Sequence, residues 1–260
     1  MRRSRTIAIG LAAAAIIGLS RWSFLHQSWT LRSVISRDLP GGFIYREAVL
    51  ARGDLIATLR CVSGKSVDVR LRAVDVRAMD RTPLHVVVDT QRSGVAVNGG
   101  YFDQNRRPVG LIRMGGVTAS EWSDKPLLSG LIEGGKDRPP RLTSCDEADP
   151  KATDVRQCGP SLFGPRDRSG NRTAVAERTA VATSDDRVGF VVTTPITLDD
   201  LADVLSLHGT ALGLPDIRRA INLDGGPSTG MTFHDTTGIE GTEPRGPISD
   251  ALAIYPCQTP

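Results

Sequence analysis

Two segments of the chain consist of an apolar, strand-like run that ends in a polar residue and continues into two glycines. One is GVAVNGGYFD at residues 94–103, with Asn98 before the glycines, and the other is AINLDGGPSTGM at residues 220–231, with Asp224 before them. Period-two alternation places Asn222 and Asp224 on the face opposite the apolar side chains of the second run. An amide and a carboxylate therefore point into a common space, where glycines permit positive φ or the close approach of a ligand.

The surrounding motifs decide between a site and an ordinary turn. Taken alone, the second segment also fits a strand that ends in an Asp-Gly hairpin turn. However, four motifs occur in order: NGGYFD at 98–103, RPVGL at 107–111, RTAV at 178–181 and NLDGGPST at 222–229. Together they resemble the bacterial phosphodiester glycosidase domain family, from about residue 60 to Tyr255. Functional residues concentrate where loops leave rigid strands, which favours a site.

The resemblance implies an enzyme that hydrolyses a sugar-1-phosphodiester in polysaccharide or envelope glycopolymer metabolism. The alternative is a non-catalytic saccharide-binding or envelope-assembly factor on the same fold. Because the leaving group is a stabilised phosphate, the reaction needs cations to hold its charge and a carboxylate to activate water or attack carbon. Asp224 is the expected carboxylate, and Arg178 with Arg245 the expected phosphate clamp. The third expected catalytic residue is Asn98.

The substrate is expected to contact the glycine turns, the hydroxyls after them and a loop that resembles one near the family's site. These residues are Gly99, Gly100, Asp103, Gln157, Gly225, Gly226, Ser228, Thr229 and Arg245. Two of them have an alternative assignment: Asp103 as the end of a turn, and Arg245 as a solvated loop arginine. Two acids, Asp103 and Asp224, are a weak signature for a hard cation, so no metal and no cofactor is expected.

The N-terminus predicts export. A basic segment at residues 1–5 precedes an uncharged apolar run at residues 6–20, which is shorter than the ~20 residues of a membrane-spanning helix. Residues 1–29 are therefore expected to be a signal peptide, and 30–260 a periplasmic or extracellular domain. Because no clear cleavage site follows, a signal anchor in the inner membrane is the alternative, with Trp22, Phe24 and Trp29 at the membrane interface.

The cysteines agree with export, because four is an even number and suits an oxidising compartment. The expected pairs are Cys145 with Cys158, across a polar loop, and Cys61 with Cys257. Buried free thiols are the alternative. The chain has no Cys-x-x-Cys pair and only four histidines, which makes a zinc site unfavourable.

The charged residues exclude one class of partner. Only four of the 32 basic residues are lysine, yet the arginines are scattered and aromatic residues make up 5% of the chain. Nucleic-acid binding is therefore not expected. The expected partner is a carbohydrate phosphodiester, with membrane anchoring through the N-terminal segment as an option and oligomeric state left open.

The elements that position the motifs indicate a single α+β domain, with a largely antiparallel or mixed β-sheet and two main helices. One helix is expected from Thr82, with Pro83 at its first position. The other is expected from Thr197, where leucines recur at helical spacing. Each helix leads into a motif strand. Residues 133–175, rich in Pro, Gly, Asp and Arg, are expected to be the most irregular part.

Overall fold

The computed structural model describes residues 28–79, 83–91, 94–163 and 172–257. Within them, the two helices are α1 (Pro83–Gln91) and α2 (Leu198–His208). The strands are β1 (Thr30–Leu39), β2 (Phe43–Arg52), β3 (Leu55–Lys65), β4 (Val69–Asp75), β5 (Val95–Asn98), β6 (Ile112–Met114), β7 (Val117–Ser120), β8 (Gly130–Gly135), β9 (Arg138–Ser144), β10 (Asp154–Cys158), β11 (Ala176–Thr183), β12 (Arg187–Ile196), β13 (Arg219–Asn222), β14 (Met231–Asp235), β15 (Gly238–Thr242) and β16 (Asp250–Pro256).

The strands form three sheets. The six-stranded sheet has the order β1-β2-β3-β12-β11-β13, and the two five-stranded sheets have the orders β7-β6-β10-β8-β9 and β15-β14-β5-β16-β4. Each pairing within these sheets is antiparallel. The antiparallel sheet and the two helices agree with the sequence prediction, whereas the described fold is more β-rich than the α+β class that it named.

The three sheets share one hydrophobic core, and each helix covers an outer sheet face. Along β5, Val95 and Val97 point into the shared core while Ala96 packs beneath α1, as period-two alternation requires. Leu201 and Leu205 of α2 pack on the outer face of the six-stranded sheet. The strand β5, from which the first motif loop emerges, is thus packed on both of its faces.

The long helix begins where the sequence predicts. The Thr197 hydroxyl accepts a hydrogen bond from the backbone N–H of Asp200 at 3.0 Å, which satisfies one of the unpaired donors of the first turn. The α-helix ends at His208, and a 3₁₀ turn continues to Leu212. Helix α1 starts at Pro83, and its expected cap, Thr82, lies outside the described residues.

Within residues 133–163 and 172–175, the described part of the segment 133–175, the chain is more regular than its composition predicted. These residues contain the end of β8 and all of β9 and β10. Pro139 and Pro140 lie in β9, which is an edge strand of its sheet, and an edge strand tolerates residues that cannot donate a backbone hydrogen bond. The composition therefore indicated a loop where the chain forms a sheet edge.

Trp29 belongs to the folded domain, which corrects its assignment to the leader and to a membrane interface. Its side chain is buried, its indole N–H donates to Asp200 Oδ1 at 3.3 Å, and the Arg52 guanidinium lies 4.9 Å from the ring centroid. The predicted signal segment through residue 27, with Trp22 and Phe24, lies outside the described residues. Among the described helices, none combines the length and the apolar character needed to cross a membrane.

The four cysteines are free thiols in the structure, contrary to the predicted disulfides. Cys158 ends β10 and Cys145 follows β9, with β8 between those strands. Two interstrand spacings amount to roughly 9–10 Å, beyond the ~7 Å limit for the Cα atoms of a disulfide. Cys61 is buried in the six-stranded sheet, whereas Cys257 is exposed beyond the last strand of another sheet.

Candidate active site

The two glycine motifs meet although their strands belong to different sheets. Asn98 ends β5, and Asp224 follows β13 at the edge of the six-stranded sheet. The Asn98 amide Nδ2 donates to the Asp224 carbonyl at 2.8 Å, and the Asp224 N–H donates to the Gly99 carbonyl at 3.2 Å. Direct hydrogen bonds therefore join segments that are distant in sequence into one site.

Asn98 holds this junction together from inside. It is fully buried, and its Oδ1 accepts from the Thr179 hydroxyl at 2.7 Å and from the Gly230 N–H at 3.2 Å. With the bond to Asp224, both ends of the amide are engaged by protein groups. The structure thus places Asn98 as a positioning residue and not, as the sequence predicted, as a group that touches the reacting atoms.

Asp224 has a different environment. Its carboxylate is half-buried and accepts from the Gly225 N–H at 2.9 Å. Burial raises the pKa of Asp224, and the nearby Ser228 hydroxyl and the Gly225 N–H partly oppose that rise. In the described residues, no basic side chain forms an ion pair with it. A partly desolvated carboxylate without a counter-ion is suited to proton transfer or nucleophilic attack.

Arg178 provides a positive charge beside the same turn. From β11 its Nε donates to the Ile196 carbonyl at 3.1 Å and one Nη donates to the Ala174 carbonyl, which orients the guanidinium without neutralising it. Burial lowers the pKa of Arg178. Its Cδ lies 3.8 Å from where a Cβ on Gly225 would be. The Arg178 side chain therefore runs beside the glycine turn that follows Asp224.

Tyr101 lies near both charged groups, and burial together with these charges shifts its pKa. Its hydroxyl donates to the Gly159 carbonyl at 2.8 Å and accepts from Asn222 Nδ2 at 2.9 Å. Burial raises the pKa of Tyr101, the nearby Asp224 raises it further, and Arg178 lowers it. The phenol therefore lies within electrostatic reach of both.

A buried ion pair beneath Gly99 and Gly100 completes the site. Arg156 Nε donates to Asp250 Oδ2 at 2.9 Å, and both side chains are fully buried. A Cβ on Gly99 would lie 1.8 Å from Asp250 Oδ2, and one on Gly100 would lie 2.5 Å from Arg156 Cζ. These glycines are therefore needed for close packing on the ion pair, a reason independent of any substrate contact.

Comparison with known proteins identifies the family. The sequence profile of the phosphodiester glycosidase family matches residues 91–255, which include both glycine motifs. The chain belongs to the phosphodiester glycosidase family. No curated protein sequence matches it.

Two solved structures show the same fold as this family member. A hypothetical protein from Synechocystis is similar with a TM-score of 0.58 and 14% identity over 86% of this chain, which spans only 64% of that protein. The catalytic domain of zebrafish N-acetylglucosamine-1-phosphodiester α-N-acetylglucosaminidase, auto-inhibited by its pro-peptide, is similar with a TM-score of 0.54 and 17% identity. That alignment covers 87% of this chain and 83% of the zebrafish domain.

The loop after Asp224 places the remaining motif residues of this family member close together. A Cβ on Gly225 would lie 2.7 Å from the Glu177 carbonyl, whereas Gly226 has φ of +59° and open space around it. Ser228 donates to a backbone carbonyl of the next loop at 3.1 Å. The Thr229 Oγ1 is buried and has no hydrogen-bond partner in the described residues.

Gln157 is not open to a ligand, which corrects the expected substrate contact. It is 1% exposed. Its Oε1 accepts from the Leu111 and Ser123 N–H groups at 2.9 and 3.1 Å, and its Nε2 donates to the Ser123 and Leu128 carbonyls. The amide therefore ties together the loops behind the site, where it supports the strand that carries Arg156.

Asp103 and Arg245 follow the alternatives that the sequence allowed. Asp103 Oδ1 accepts from the N–H groups of Asn105 and Arg107 at 2.9 and 2.8 Å, so that carboxylate closes an exposed turn. Arg245 is exposed and forms an ion pair with Glu177. In the part of the chain that the structure describes, no three His, Cys, Asp or Glu side chains come together in a metal-binding group.

The pair of Arg156 and Asp250 is the main feature that the sequence reading missed. Asp250 is the first residue of β16 and directly precedes its apolar run, and Arg156 is the central residue of β10, a strand in which each residue is buried. A charge at a core position of a strand is unusual unless it is paired. From the sequence, each residue could have been recognised as a charged residue at a buried strand position. The sequence alone does not show that the two residues pair with each other.

Proposed function

We propose that this chain is an exported hydrolase that cleaves a sugar-1-phosphodiester bond, with Asp224 as the catalytic carboxylate and Arg178 as the phosphate-holding cation. The observation that carries the proposal is their arrangement around the Gly225 turn. Asp224 is partly desolvated and Arg178 is oriented by backbone carbonyls, and neither forms an ion pair with another described residue. Membership of the phosphodiester glycosidase family supports the reaction class.

The chemistry assigns complementary tasks to the two residues. As the bond between the anomeric carbon and the phosphate oxygen breaks, negative charge on the departing phosphate is stabilised by the Arg178 guanidinium. The Asp224 carboxylate either attacks the oxocarbenium-like carbon or removes a proton from water. Asn98 and the buried ion pair keep the two strand ends in place while this happens.

Export to the periplasm or beyond is part of the proposal, with polysaccharide or envelope glycopolymer metabolism as its setting. The basic segment followed by a short apolar run supports it. An alkaline-phosphatase fusion joined after residue 40 should be active outside the cytoplasm. Inactivity there, with activity of the same fusion behind a known signal peptide, would contradict export.

The catalytic assignment is tested with Asp224→Asn in the purified protein on a panel of sugar-1-phosphodiesters. We expect kcat to fall by roughly a thousandfold or more, because an amide neither attacks nor accepts a proton. Asp185→Asn is the matched control, since this exposed aspartate pairs only with Arg218 at a distance from the site. A folded Asp224→Asn protein with near-normal turnover would refute the assignment, as would Asp185→Asn losing as much.

Arg178→Lys tests the phosphate contact separately. Lysine keeps the charge but not the planar fork, so turnover of the phosphodiester should fall. The loss should be much smaller on a glycoside whose leaving group carries no phosphate, if the enzyme turns it over. Equal losses on both substrates would show that Arg178 acts through the fold and not on phosphate.

A further inference from the structure

A pocket of about 500 Å³ lies away from the proposed catalytic turn, where β4 and the end of β16 meet the turn between β8 and β9. Three cations, one carboxylate, a tyrosine and a cysteine line it: Arg70, Arg72, Lys136, Asp137, Tyr255 and Cys257. In β16, Ala251 pairs with Asn98 at the candidate site, and Tyr255 lies four residues further along the strand. At ~3.4 Å per residue, the pocket is about 14 Å from that end of the sheet.

Elements of two sheets bring the cations of this pocket together. Arg70 and Arg72 are two residues apart on the edge strand β4, so both side chains lie on the same face. Tyr255 is directly opposite Arg70 in the neighbouring strand, and the Arg72 guanidinium lies 5.1 Å from its ring centroid. Arg70 Nε donates to the Lys136 carbonyl at 3.0 Å, and this bond joins the strand to the β8–β9 turn.

Nearby acids do not neutralise the positive charge of the pocket. In the described part of the chain, neither Arg70 nor Lys136 forms an ion pair, and Asp137, the one carboxylate of the lining, forms none either. Backbone carbonyls hold Arg70 instead, because its Nη1 donates to those of Val67 and Val69 at 3.0 and 2.9 Å. These bonds orient the guanidinium and keep its charge. Three cations against one carboxylate leave two positive charges in the lining.

The arrangement of charge favours a phosphate monoester over a carboxylate. A phosphate monoester carries a charge of about −1.5 to −2 at pH 7 and accepts hydrogen bonds on three oxygens. The two excess positive charges match that charge, and donors from separate elements can reach different oxygens of one phosphate. A carboxylate carries a single charge and is satisfied by the planar fork of one arginine.

The size of the pocket and its tyrosine indicate what the phosphate is attached to. The volume lies within the ~300–1,000 Å³ that is usual for ligand sites, so the pocket has room for more than a phosphate. Tyr255 is half-buried and offers ring surface, against which the C–H groups of a sugar can pack. Tyr255 and Cys257 supply the only uncharged side chains of the lining, which is too little apolar surface for a lipid chain.

We propose that this pocket binds a sugar phosphate, with the phosphate between Arg70 and Lys136 and the sugar against Tyr255. The inference goes beyond the proposed function and does not depend on it, because neither Asp224 nor Arg178 lines the pocket. The protein then has a second ligand site, at the end of the sheet opposite to the one that carries Asn98.

Binding is measured by titrating the purified, isotope-labelled protein with α-D-glucose 1-phosphate. Inorganic phosphate and methyl α-D-glucopyranoside are the probes for the two halves of the ligand. The backbone amides of Lys136 and Tyr255 should shift saturably with the sugar phosphate, and each half alone should bind more weakly. No saturable shift at these amides would overturn the proposal. Equal affinity for inorganic phosphate would overturn the assignment of the sugar, and equal affinity for the neutral glycoside would overturn that of the phosphate.

Charge variants locate the phosphate. Arg70→Gln and Lys136→Gln should each weaken α-D-glucose 1-phosphate about tenfold, as expected for the loss of one charge-assisted hydrogen bond. Asp137→Asn should strengthen binding, because it removes the one negative charge of the lining. A variant that acts only by loosening the fold would not strengthen binding. Weaker binding by folded Asp137→Asn protein would therefore contradict the proposal.

Arg113→Gln is the matched control for Arg70→Gln. Arg113 is also half-buried and also donates to backbone carbonyls, those of Pro150 and Ala152 at 3.2 and 2.8 Å, but it lies outside the pocket. The control variant should bind the sugar phosphate with wild-type affinity. Unchanged affinity in both Arg70→Gln and Lys136→Gln, or an equal loss in Arg113→Gln, would refute this site.

Two measurements separate this proposal from the proposed function. A phosphate that binds at Arg178 would shift the amide of Gly226, and Arg70→Gln should leave that shift unchanged while it removes the shift at Lys136. Arg70→Gln should also leave kcat and KM for a small sugar-1-phosphodiester unchanged. Loss of both shifts together in Arg70→Gln would refute a separate pocket. Absence of turnover on every phosphodiester, with binding in the pocket intact, would refute the proposed function alone.

Discussion

Replacing Asp250 by asparagine removes one charge from the ion pair under the two glycines while keeping the shape of the side chain. Both carboxylate oxygens of Asp250 accept from donors: Oδ1 from the Ser249 hydroxyl at 2.6 Å and Oδ2 from Arg156 Nε at 2.9 Å and the Gly100 N–H at 3.3 Å. An amide nitrogen at either position would face a donor. The substitution therefore leaves the buried Arg156 charge without its counter-ion.

The expected cost follows from the burial of the pair. Both side chains are 0% exposed, and breaking a buried pair by removing one partner costs about 3–5 kcal/mol. A domain has a free energy of unfolding of about 5–15 kcal/mol, so the loss is a large share of it. At ~2–4 °C per kcal/mol for domains of this size, Tm should fall by about 6–20 °C.

Thermal unfolding followed by circular dichroism measures this loss, with Asp185→Asn as the control. Asp185 also forms a two-bond pair with an arginine, at 2.7 and 3.0 Å, but both partners are exposed and solvent replaces the lost contact. The control variant should have the same Tm as the wild-type protein. If Asp250→Asn also melts within about 2 °C of wild type, the ion pair does not hold the site together as the buried geometry requires.

Three further outcomes are expected. Burial raises the pKa of Asp224 above the ~3.9 of an ordinary aspartate, so the carboxylate becomes protonated at a higher pH. The acidic limb of a kcat/KM against pH profile should therefore have its midpoint above pH ~3.9. A midpoint at or below that value contradicts the assignment of Asp224. Tyr101→Phe removes two hydrogen bonds of the phenol, one to the Gly159 carbonyl and one from Asn222 Nδ2, and at about 0.5–1.5 kcal/mol for each bond it should lower the free energy of unfolding by about 1–3 kcal/mol in urea titrations. In thiol titration with Ellman's reagent, the exposed Cys257 should react first. Cys61 and Cys158 should react only on unfolding, because burial raises their pKa values to about 12 and about 11. Fewer than four reactive thiols in denatured protein would indicate a disulfide.

The sequence predicted those features that depend on neighbours along the chain. Alternation correctly assigned Ile221 and Leu223 to the core, and the Thr197 cap correctly began the long helix. Both signals are local, because side-chain period and capping need only a few consecutive residues. The prolines of β9 misled the prediction, because their tolerance depends on an edge position that only the sheet order reveals.

The candidate site could be predicted only in part, because its hydrogen bonds cross between sheets. Asn98 and Asp224 occupy equivalent places in similar motifs, so sequence reasoning gave both of them a catalytic role. The structure separates them through Thr179, on a third strand, which engages the Asn98 amide. Arg156 and Asp250 were missed for the same reason, since their pairing joins strands from two sheets that are far apart in the chain.

The distribution of satisfied and unsatisfied groups supports Asp224 and Arg178 as the reacting pair. Asn98, Gln157 and Asp250 have their polar atoms engaged by protein donors and acceptors, as folding requires of buried groups. Asp224 and Arg178 instead keep charges that no described residue neutralises, and burial disfavours the charged form of each. A partly buried charge without a partner lowers the stability of the fold, and such residues are expected at functional sites. A substrate would compensate both charges, with its phosphate at Arg178 and its electron-poor anomeric carbon beside Asp224. Without a substrate, the fold leaves both charges uncompensated.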